Sequence, residues 1–295
     1  MVHIAIAGAS SGLGDSISRA VLSNPDNKLT VLTRGRQPQL TSLGANVMVV
    51  DYTSMPSLTA ALSGVHTLIS CVWAPGSNLA VTQSLLAACK AAGVKRYAPS
   101  EFATAGLANK SIALYAQKDD VWKLVRESGL EYTAFRLGVF MNYLSAGAPG
   151  AEQQALKLFP VVVDVKARTA TIPGTGEDRV SFTAIEDVGR FVEAACQLEK
   201  WGVESTMFGE TWSYKEVVKL AEEVTGETFD VKYLSREEIS GRIEEKKDDV
   251  MGKFYEEVLV AIVDGLGEVK GELNELTDVK PIGVKAFLEK WWGKK

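Results

Sequence analysis

An apolar run, Ile4-Ala5-Ile6-Ala7, that breaks into Gly8-Ala9-Ser10-Ser11-Gly12-Leu13-Gly14 constrains this 295-residue chain more than any other stretch. The run has the composition of a buried strand. Leu13, Ile17, Ala20 and Val21 follow at helical spacing, so the glycines occupy a strand-to-helix turn. A second apolar run, Leu29-Thr30-Val31-Leu32-Thr33, supplies the next parallel strand, and the two together make half of a dinucleotide-binding unit. Gly8, Gly12 and Gly14 allow a sharp turn and a close backbone approach, while the N–H groups that open the helix face an anion such as pyrophosphate. Ser10, Ser11 and Leu13 share that loop and are predicted cofactor contacts with the glycines.

The end of the second strand chooses between cofactors. A ribose 2′-hydroxyl is usually held by Asp or Glu about 20 residues beyond the glycines, and Arg34 stands there with Arg36 close behind. A carboxylate repels a 2′-phosphate, whereas a guanidinium grips it with paired, charge-assisted hydrogen bonds. NADP(H) is therefore expected over NAD(H), although two solvated loop arginines would leave the same trace.

The remaining inventory excludes other chemistries. Two histidines, His3 and His66, lie far from other ligand-type residues, and Cys71, Cys89 and Cys196 show no paired spacing. No metal, disulfide framework or Ser/His/Asp triad is expected. A net charge of −5 argues against a nucleic-acid binder. No apolar run approaches the ~20 residues of a membrane helix, and Met1-Val2-His3 enters a strand directly, so a cytoplasmic protein is expected. It is read as a monomer or homodimer.

Along the chain, 47–50 reads as a third buried strand ending at Asp51, a residue placed either near an adenine or as cap of a helix over 54–62. A fourth strand over 67–72 brings Cys71, Val72 and Trp73 to the carboxyl edge of the sheet, where open parallel sheets bind ligands. The 78–92 stretch is helical, and 93–102 then holds a short strand that ends in a loop with Ser100 and Phe102. A helix over 111–128 places Leu114, Lys118, Val121 and Val125 on one stripe. Lys118 is thus either an inward amine with a lowered pKa, able to exchange protons, or a lysine that snorkels to water. Tyr115 lies one turn earlier, to assist or to pack. A sixth strand over 131–137 ends in an apolar mouth, Val139-Phe140-Met141-Asn142-Tyr143, suited to cover a nicotinamide and an aromatic substrate.

With these pieces in place the chain resembles the NmrA-like group of atypical short-chain dehydrogenase/reductases, and its isoflavone reductase-like branch in particular. The resemblance rests on the glycine loop and on Val94-Lys95-Arg96-Tyr97-Ala98-Pro99-Ser100-Glu101-Phe102, the family's V-K-R-F-x-P-S-E-F. It rests too on Lys118 placed before 126–133, and on the stretches 140–143, 182–189 and 212–216. It implies a Rossmann-type doubly wound α/β fold with a smaller mixed C-terminal lobe, NADPH dependence, and Lys118 as catalytic lysine. There are departures. Ser11 stands at the family's middle glycine, Ala103 replaces a glycine, and Tyr115-Ala116-Gln117-Lys118 is one residue shorter than the Tyr-x-x-x-Lys of the main group.

The nucleotide domain is expected over 1–145 and a substrate lobe over 146–295, with a segment near 180–212 returning to the main domain. In the lobe, 151–158 reads as a short helix, 160–163 and 169–172 as strands, and Ser213 with Glu216, and Ser235 with Glu238, as capping boxes. The cofactor contacts are expected from Gly8, Ser10, Ser11, Gly12, Leu13, Gly14, Arg34, Arg36, Asp51, Cys71, Val72, Trp73, Ser100, Phe102, Lys118, Val139, Phe140 and Asn142. Substrate contacts are expected from Trp73, Phe102, Tyr115, Met141 and Tyr143. The expected activity is NADPH-dependent reduction of a ketone, enone or related aromatic small molecule. The alternative is a non-catalytic redox sensor that binds NADP(H) and a protein partner such as a transcription factor.

Overall fold

A computed structural model describes residues 1–10, 12–73, 78–104 and 106–293. Ser11, one of the expected cofactor contacts, lies outside the described residues. Six strands, β1 (Val2–Ala7), β2 (Asn27–Thr33), β3 (Asn46–Val49), β4 (Thr67–Ser70), β5 (Arg96–Ala98) and β6 (Glu131–Tyr132), form a parallel sheet in the order β3-β2-β1-β4-β5-β6. Helices α1 (Gly12–Ser23), α2 (Pro38–Ser42), α3 (Met55–Ala61), α4 (Asn78–Ala92) and α5 (Lys118–Glu127) connect them. This is the Rossmann-type doubly wound arrangement, in which the strand order reverses between β1 and β4 and opens a crevice at their carboxyl ends.

The central strand shows why its sequence is apolar throughout. Ile4 and Ile6 face Ile17 and Val21 of α1, whereas Ala5 and Ala7 face the other layer with Leu58, Leu62, Leu85 and Cys89. Helices cover both faces, so a strand here has no polar side to present. Strand β3 differs. It was expected to be buried, but it lies at the sheet edge with Asn46 and Val49 exposed, because only one neighbour covers it.

Beyond β6 the chain leaves the sheet. The expected strand over 131–137 breaks at Thr133, whose hydroxyl bonds Ser205 Oγ at 2.8 Å, and β7 (Ala134–Arg136) pairs instead with β12 (Glu204–Thr206). Gly138, at φ +77°, then redirects the chain where a Cβ would strike the Ser181 backbone. Strand β8 (Val139–Phe140) pairs with β11 (Arg179–Thr183), and β11 with β13 (Glu210–Ser213). Between β11 and β12, helix α6 (Ile185–Gln197) lies along α1. The close approach is made at Gly189, whose Cβ would meet Ser16 O at 2.8 Å.

The second core is built on a small sheet of β9 (Val163–Asp164), β10 (Thr169–Pro173) and β14 (Asp230–Leu234), covered by α7 (Tyr214–Thr225), α8 (Arg236–Glu245), α9 (Val250–Val263) and α11 (Val284–Trp292). Helix α10 (Glu272–Leu276) joins the first core through Leu273. Both capping boxes are present, at Ser213 with Glu216 and at Ser235 with Glu238. Two expected helices are not continuous. Only a 3-10 turn (Ala151–Gln153) forms within 151–158, and the strand expected over 160–163 is displaced to β9. The stretch 111–128 divides into a 3-10 turn (Ala113–Tyr115), whose Ala113 N–H donates to Glu257 Oε2 at 2.9 Å, and α5. Asp119 and Asp120 then stabilise a new helix start at Lys118.

Candidate active site

The glycine loop forms one end of a cleft of about 1260 Å³, larger than the roughly 300–1,000 Å³ of ordinary small-ligand sites. Gly8 adopts φ +85°, and a Cβ there would approach the Cys71 carbonyl carbon to 2.8 Å. Only glycine lets β1 end that close to the β4 strand end. Gly14 has the same function one turn on, where a Cβ would run into the Gly8 carbonyl. Gly8, Ser10, Gly12, Arg34, Cys71, Val72 and Trp73 all line the cleft, so a continuous wall runs from loop to β2 end to β4 end. Burial pushes the Cys71 thiol up to about 12, which makes it an apolar wall group. Tyr52 completes the wall. Its hydroxyl donates to Leu32 O at 3.0 Å.

The opposite wall comes from the second half of the chain. Ala151, Glu152 and 154–158 cross the cleft as a strap, and the Gly12 N–H donates to Ala155 O at 2.8 Å. Gln154 fixes the strap. Its Oε1 accepts from Asn142 Nδ2 at 2.6 Å and its Nε2 donates to Ser145 Oγ at 2.8 Å. Asn142 was expected at the cofactor. Instead it is fully buried, with Oδ1 accepting the Ile185 N–H at 2.8 Å, so its amide anchors α6 and the strap and does not line the cleft.

Behind Val72, Trp73 and Val81, which border both spaces, lies a small polar chamber with Ser100, Glu101, Gln117 and Lys118 in its wall. Its volume of about 20 Å³ suffices for a water molecule. Lys118 opens α5 and is only 7% exposed. Its Nζ lies 3.4 Å from Glu101 Oε1 and 4.2 Å from the Tyr115 ring centroid. The lysine therefore points inward, one of the two alternatives that its place on the stripe left open, and a helix start rather than a mid-helix stripe puts it there. Burial holds its pKa below the ordinary lysine range, the Arg136 charge adds to this, and Glu101 opposes both. The Tyr115 phenol is shifted up, by burial first and then by the Glu101 charge, so Tyr115 offers the ammonium a ring face rather than a ready proton.

Rings continue outward from Tyr115. Trp73 meets it edge-on at 6.1 Å on one side, and Phe254 of α9 meets it at 5.6 Å on the other. Tyr255, Phe159, Tyr143 and Phe140 extend the series at 4.8–6.2 Å. Burial raises the Tyr143 phenol to about 12.

Several predicted contacts lie elsewhere. Phe102 stacks on Phe135 at 5.8 Å and packs against the first core, as does Leu13. Met141 is fully buried in the second core, while Val139, Phe140 and Tyr143 border a separate apolar recess. Arg36 is exposed and outside the cleft lining. Asp51 is exposed and accepts from Thr53 N and Oγ1 at 2.8 and 2.7 Å, while Ser54 caps the following helix. Sequence reasoning named neither Glu101 nor Arg136 as a site residue, nor the strap as a wall. Glu101 sits inside the P-S-E-F stretch, and that was the available signal. Among the described residues, no group of three or more His, Cys, Asp or Glu could hold a metal, and no helix is long and apolar enough to cross a membrane.

Fold and site together define a Rossmann-type protein whose dinucleotide-sized cleft adjoins a buried lysine. The chain belongs to the NmrA-like family, whose model matches residues 2–290. It is 30% identical over 240 residues to the oxidoreductase BOA1 of Botryotinia fuckeliana, covering 78% of each chain. With the asnovolin J 5′,6′-dehydrogenase nvfM of Aspergillus novofumigatus it shares 26% identity, across 89% of this chain and 81% of that protein. Among solved structures, the binary complex of leucoanthocyanidin reductase with NADPH from Vitis vinifera superimposes with a TM-score of 0.79 at 18% identity, over 98% of this chain and 99% of that one.

Proposed function

We propose that this chain is an NADPH-dependent reductase that acts on a ketone, enone or related flat, aromatic small molecule, with Lys118 as proton donor. The observation that carries this reading is the ammonium of Lys118, buried in the chamber behind the cleft wall with a carboxylate oxygen and a ring face as neighbours. The oxidoreductases among its relatives and the NADPH complex of a fold neighbour support it.

The residues present fit the cofactor. Gly8 lets β1 end against the Cys71 backbone at the cleft wall, Ser10 and Gly12 offer donors for the pyrophosphate, and Arg34 brings a guanidinium to the cleft for a 2′-phosphate. A phosphate oxygen that took the Gly12 N–H would displace Ala155 O from it, so cofactor binding and strap position compete for one donor. When bound, the cofactor supplies the two-electron reduction. The chain holds the proton on Lys118 Nζ and gives it to the substrate oxygen as negative charge develops there. Trp73 at the cleft wall gives a flat substrate a ring to lie against, backed edge-on by Tyr115.

The test is NADPH oxidation against a panel of aromatic ketones, enones and quinones, run with wild type and Lys118→Ala. Turnover of at least one class is expected, with a loss of about 10²–10⁴-fold in the variant and NADPH affinity retained in a fluorescence titration. An unchanged rate in Lys118→Ala removes the lysine from the chemistry. Silence across the panel, with binding selective for one redox form of the nucleotide, replaces the reductase by the sensor.

A further inference from the structure

Lys118 does not have its carboxylate to itself. Glu101, 1% exposed, reaches two cations at once, with Oε1 3.4 Å from Lys118 Nζ and Oε2 3.0 Å from Arg136 Nη2. Arg136, 3% exposed, is the rigid member. Its Nε donates to Glu204 Oε1 at 2.7 Å, its Nη1 donates to Thr104 O at 3.2 Å, and its backbone is locked in register with Thr206 of β12. A guanidinium is a planar cation whose N–H fork matches a carboxylate, and here it takes the Glu101 oxygen that Lys118 does not face. The ammonium therefore meets a carboxylate whose charge is already partly balanced from behind.

We propose that Glu101 and Arg136 are positioning residues for Lys118: Glu101 holds the amine at the chamber, and Arg136 limits the negative charge the ammonium meets, which frees its proton for the substrate. The proposal deepens the reductase reading and rests on it. The break at Thr133 serves this arrangement, since it swings β7 away from β6 and brings Arg136 behind Glu101. A single unbroken strand would have kept Arg136 in the parallel sheet.

The groups facing Lys118 can be named from each side. Glu101 comes from the loop after β5, Arg136 from β7, and Tyr115 from the 3-10 turn. Glu204 of β12 acts only through Arg136. Tyr143 acts through Tyr115, and Glu257 of α9 is held on the Ala113 N–H. On its own helix, Asp119 and Asp120 are exposed.

These neighbours give opposite signs to two substitutions. Arg136→Met leaves the full Glu101 charge on the ammonium, so the amine keeps its proton to higher pH. Glu101→Gln leaves the ammonium facing a guanidinium, so it loses its proton at lower pH. Each displacement is expected to reach about 1 pH unit or more, and Arg136→Lys should restore most of the wild-type behaviour. The amine is followed by NMR titration of the full-length protein carrying 13C-labelled lysine, with Lys118→Arg to assign the signal. The pH profile of kcat/KM for NADPH oxidation is recorded alongside.

Opposite displacements in the two variants establish the positioning role. Displacements in one direction, or none, overturn it, whatever happens to stability. If Arg136→Met does not fold, Glu204→Gln replaces it. That half-exposed substitution turns Arg136 more fully onto Glu101, and the amine signal should move in the Glu101→Gln direction by a smaller step; no movement overturns the proposal. Because the NMR titration needs no substrate, it decides this point even if Lys118→Ala proves fully active and the reductase reading falls.

Discussion

The two ends of β5 each carry a buried cation, and they differ in how completely that cation is satisfied. At the entry, Arg96 donates from Nε to Glu131 Oε2 at 2.7 Å, from Nη1 to Leu198 O at 2.8 Å and from Nη2 to Glu199 O at 2.6 Å, and it lies 5.2 Å over the Trp201 ring. Glu131 also accepts the Trp201 N–H at 2.5 Å. Although burial resists it, these bonds hold the Glu131 carboxyl below its usual range. The cluster ties the loop after α6 to the sheet. Past the exit, Lys118 has one oxygen of the Glu101 carboxylate at 3.4 Å, the other oxygen being taken by Arg136, and an aromatic face. Burial of charge is thus common to a rivet and to the proposed proton donor. What separates them is whether the donors are used up, and whether the strand end is the one at which a parallel sheet opens.

Exchanging each cation for methionine divides the two ends most sharply. Lys118→Met should lower turnover by about 10²–10⁴-fold while its unfolding free energy stays equal to wild type or rises, since an apolar chain replaces a poorly paired buried charge. Arg96→Met should do the reverse, losing about 3–5 kcal/mol in urea unfolding while the folded fraction retains its kcat. A Lys118→Met protein less stable than Arg96→Met would break the distinction.

Charged and neutral forms of the amine sharpen it next. The pKa of Lys118 is lowered on folding, so between its folded and unfolded values the unfolded chain binds more protons, and stability rises with pH there. Below the folded value both states are protonated, and the whole penalty for burying the ammonium is present. Wild-type stability relative to Lys118→Met should therefore climb as pH passes upward through the folded value toward 10.5, the ordinary lysine value. Reduction, which uses the protonated amine, should decline across the same rise. A flat stability difference over that range would show that the amine is not strained by burial.

The same logic applied to the cleft gives the smaller effects. Arg34→Ala should weaken NADPH by one to two orders of magnitude, as loss of a charged hydrogen bond of about 1.5–3 kcal/mol requires, with NADH binding unaffected. Arg36→Ala, outside the cleft wall, should change NADPH affinity by no more than about twofold, on the order of the few tenths of a kcal/mol usual for surface changes. Equal effects at both positions would mean that local charge, and not contact, holds the phosphate.

Local rules carried much of this molecule. The apolar run before Gly8, the helix over Asn78–Ala92, and the Ser213 and Ser235 capping boxes each depend on residues within a few positions of one another. Periodicity and turn chemistry report such features directly. Arg34 reached the cleft for the same reason, since a strand of known length brings its end to the carboxyl edge of the sheet. The apolar company of Lys118 singled it out, but left its aim open between the core and water.

Tertiary structure alone decided the rest. Glu101, Lys118, Arg136 and Glu204 are separated by up to about a hundred residues, and nothing local distinguishes Arg136 from an ordinary strand residue until β7 leaves the sheet to pair with β12. Asn142 looked like a cofactor group because amides line many sites, yet its hydrogen bonds were claimed by Gln154, Glu186 and Ile185 from farther along the chain. The sequence by itself determined the sheet, the loop and the identity of the amine. Which carboxylate that amine would share, and with whom, depended on long-range pairing, because a buried charge takes its character from whatever the folded chain places within a few ångströms of it.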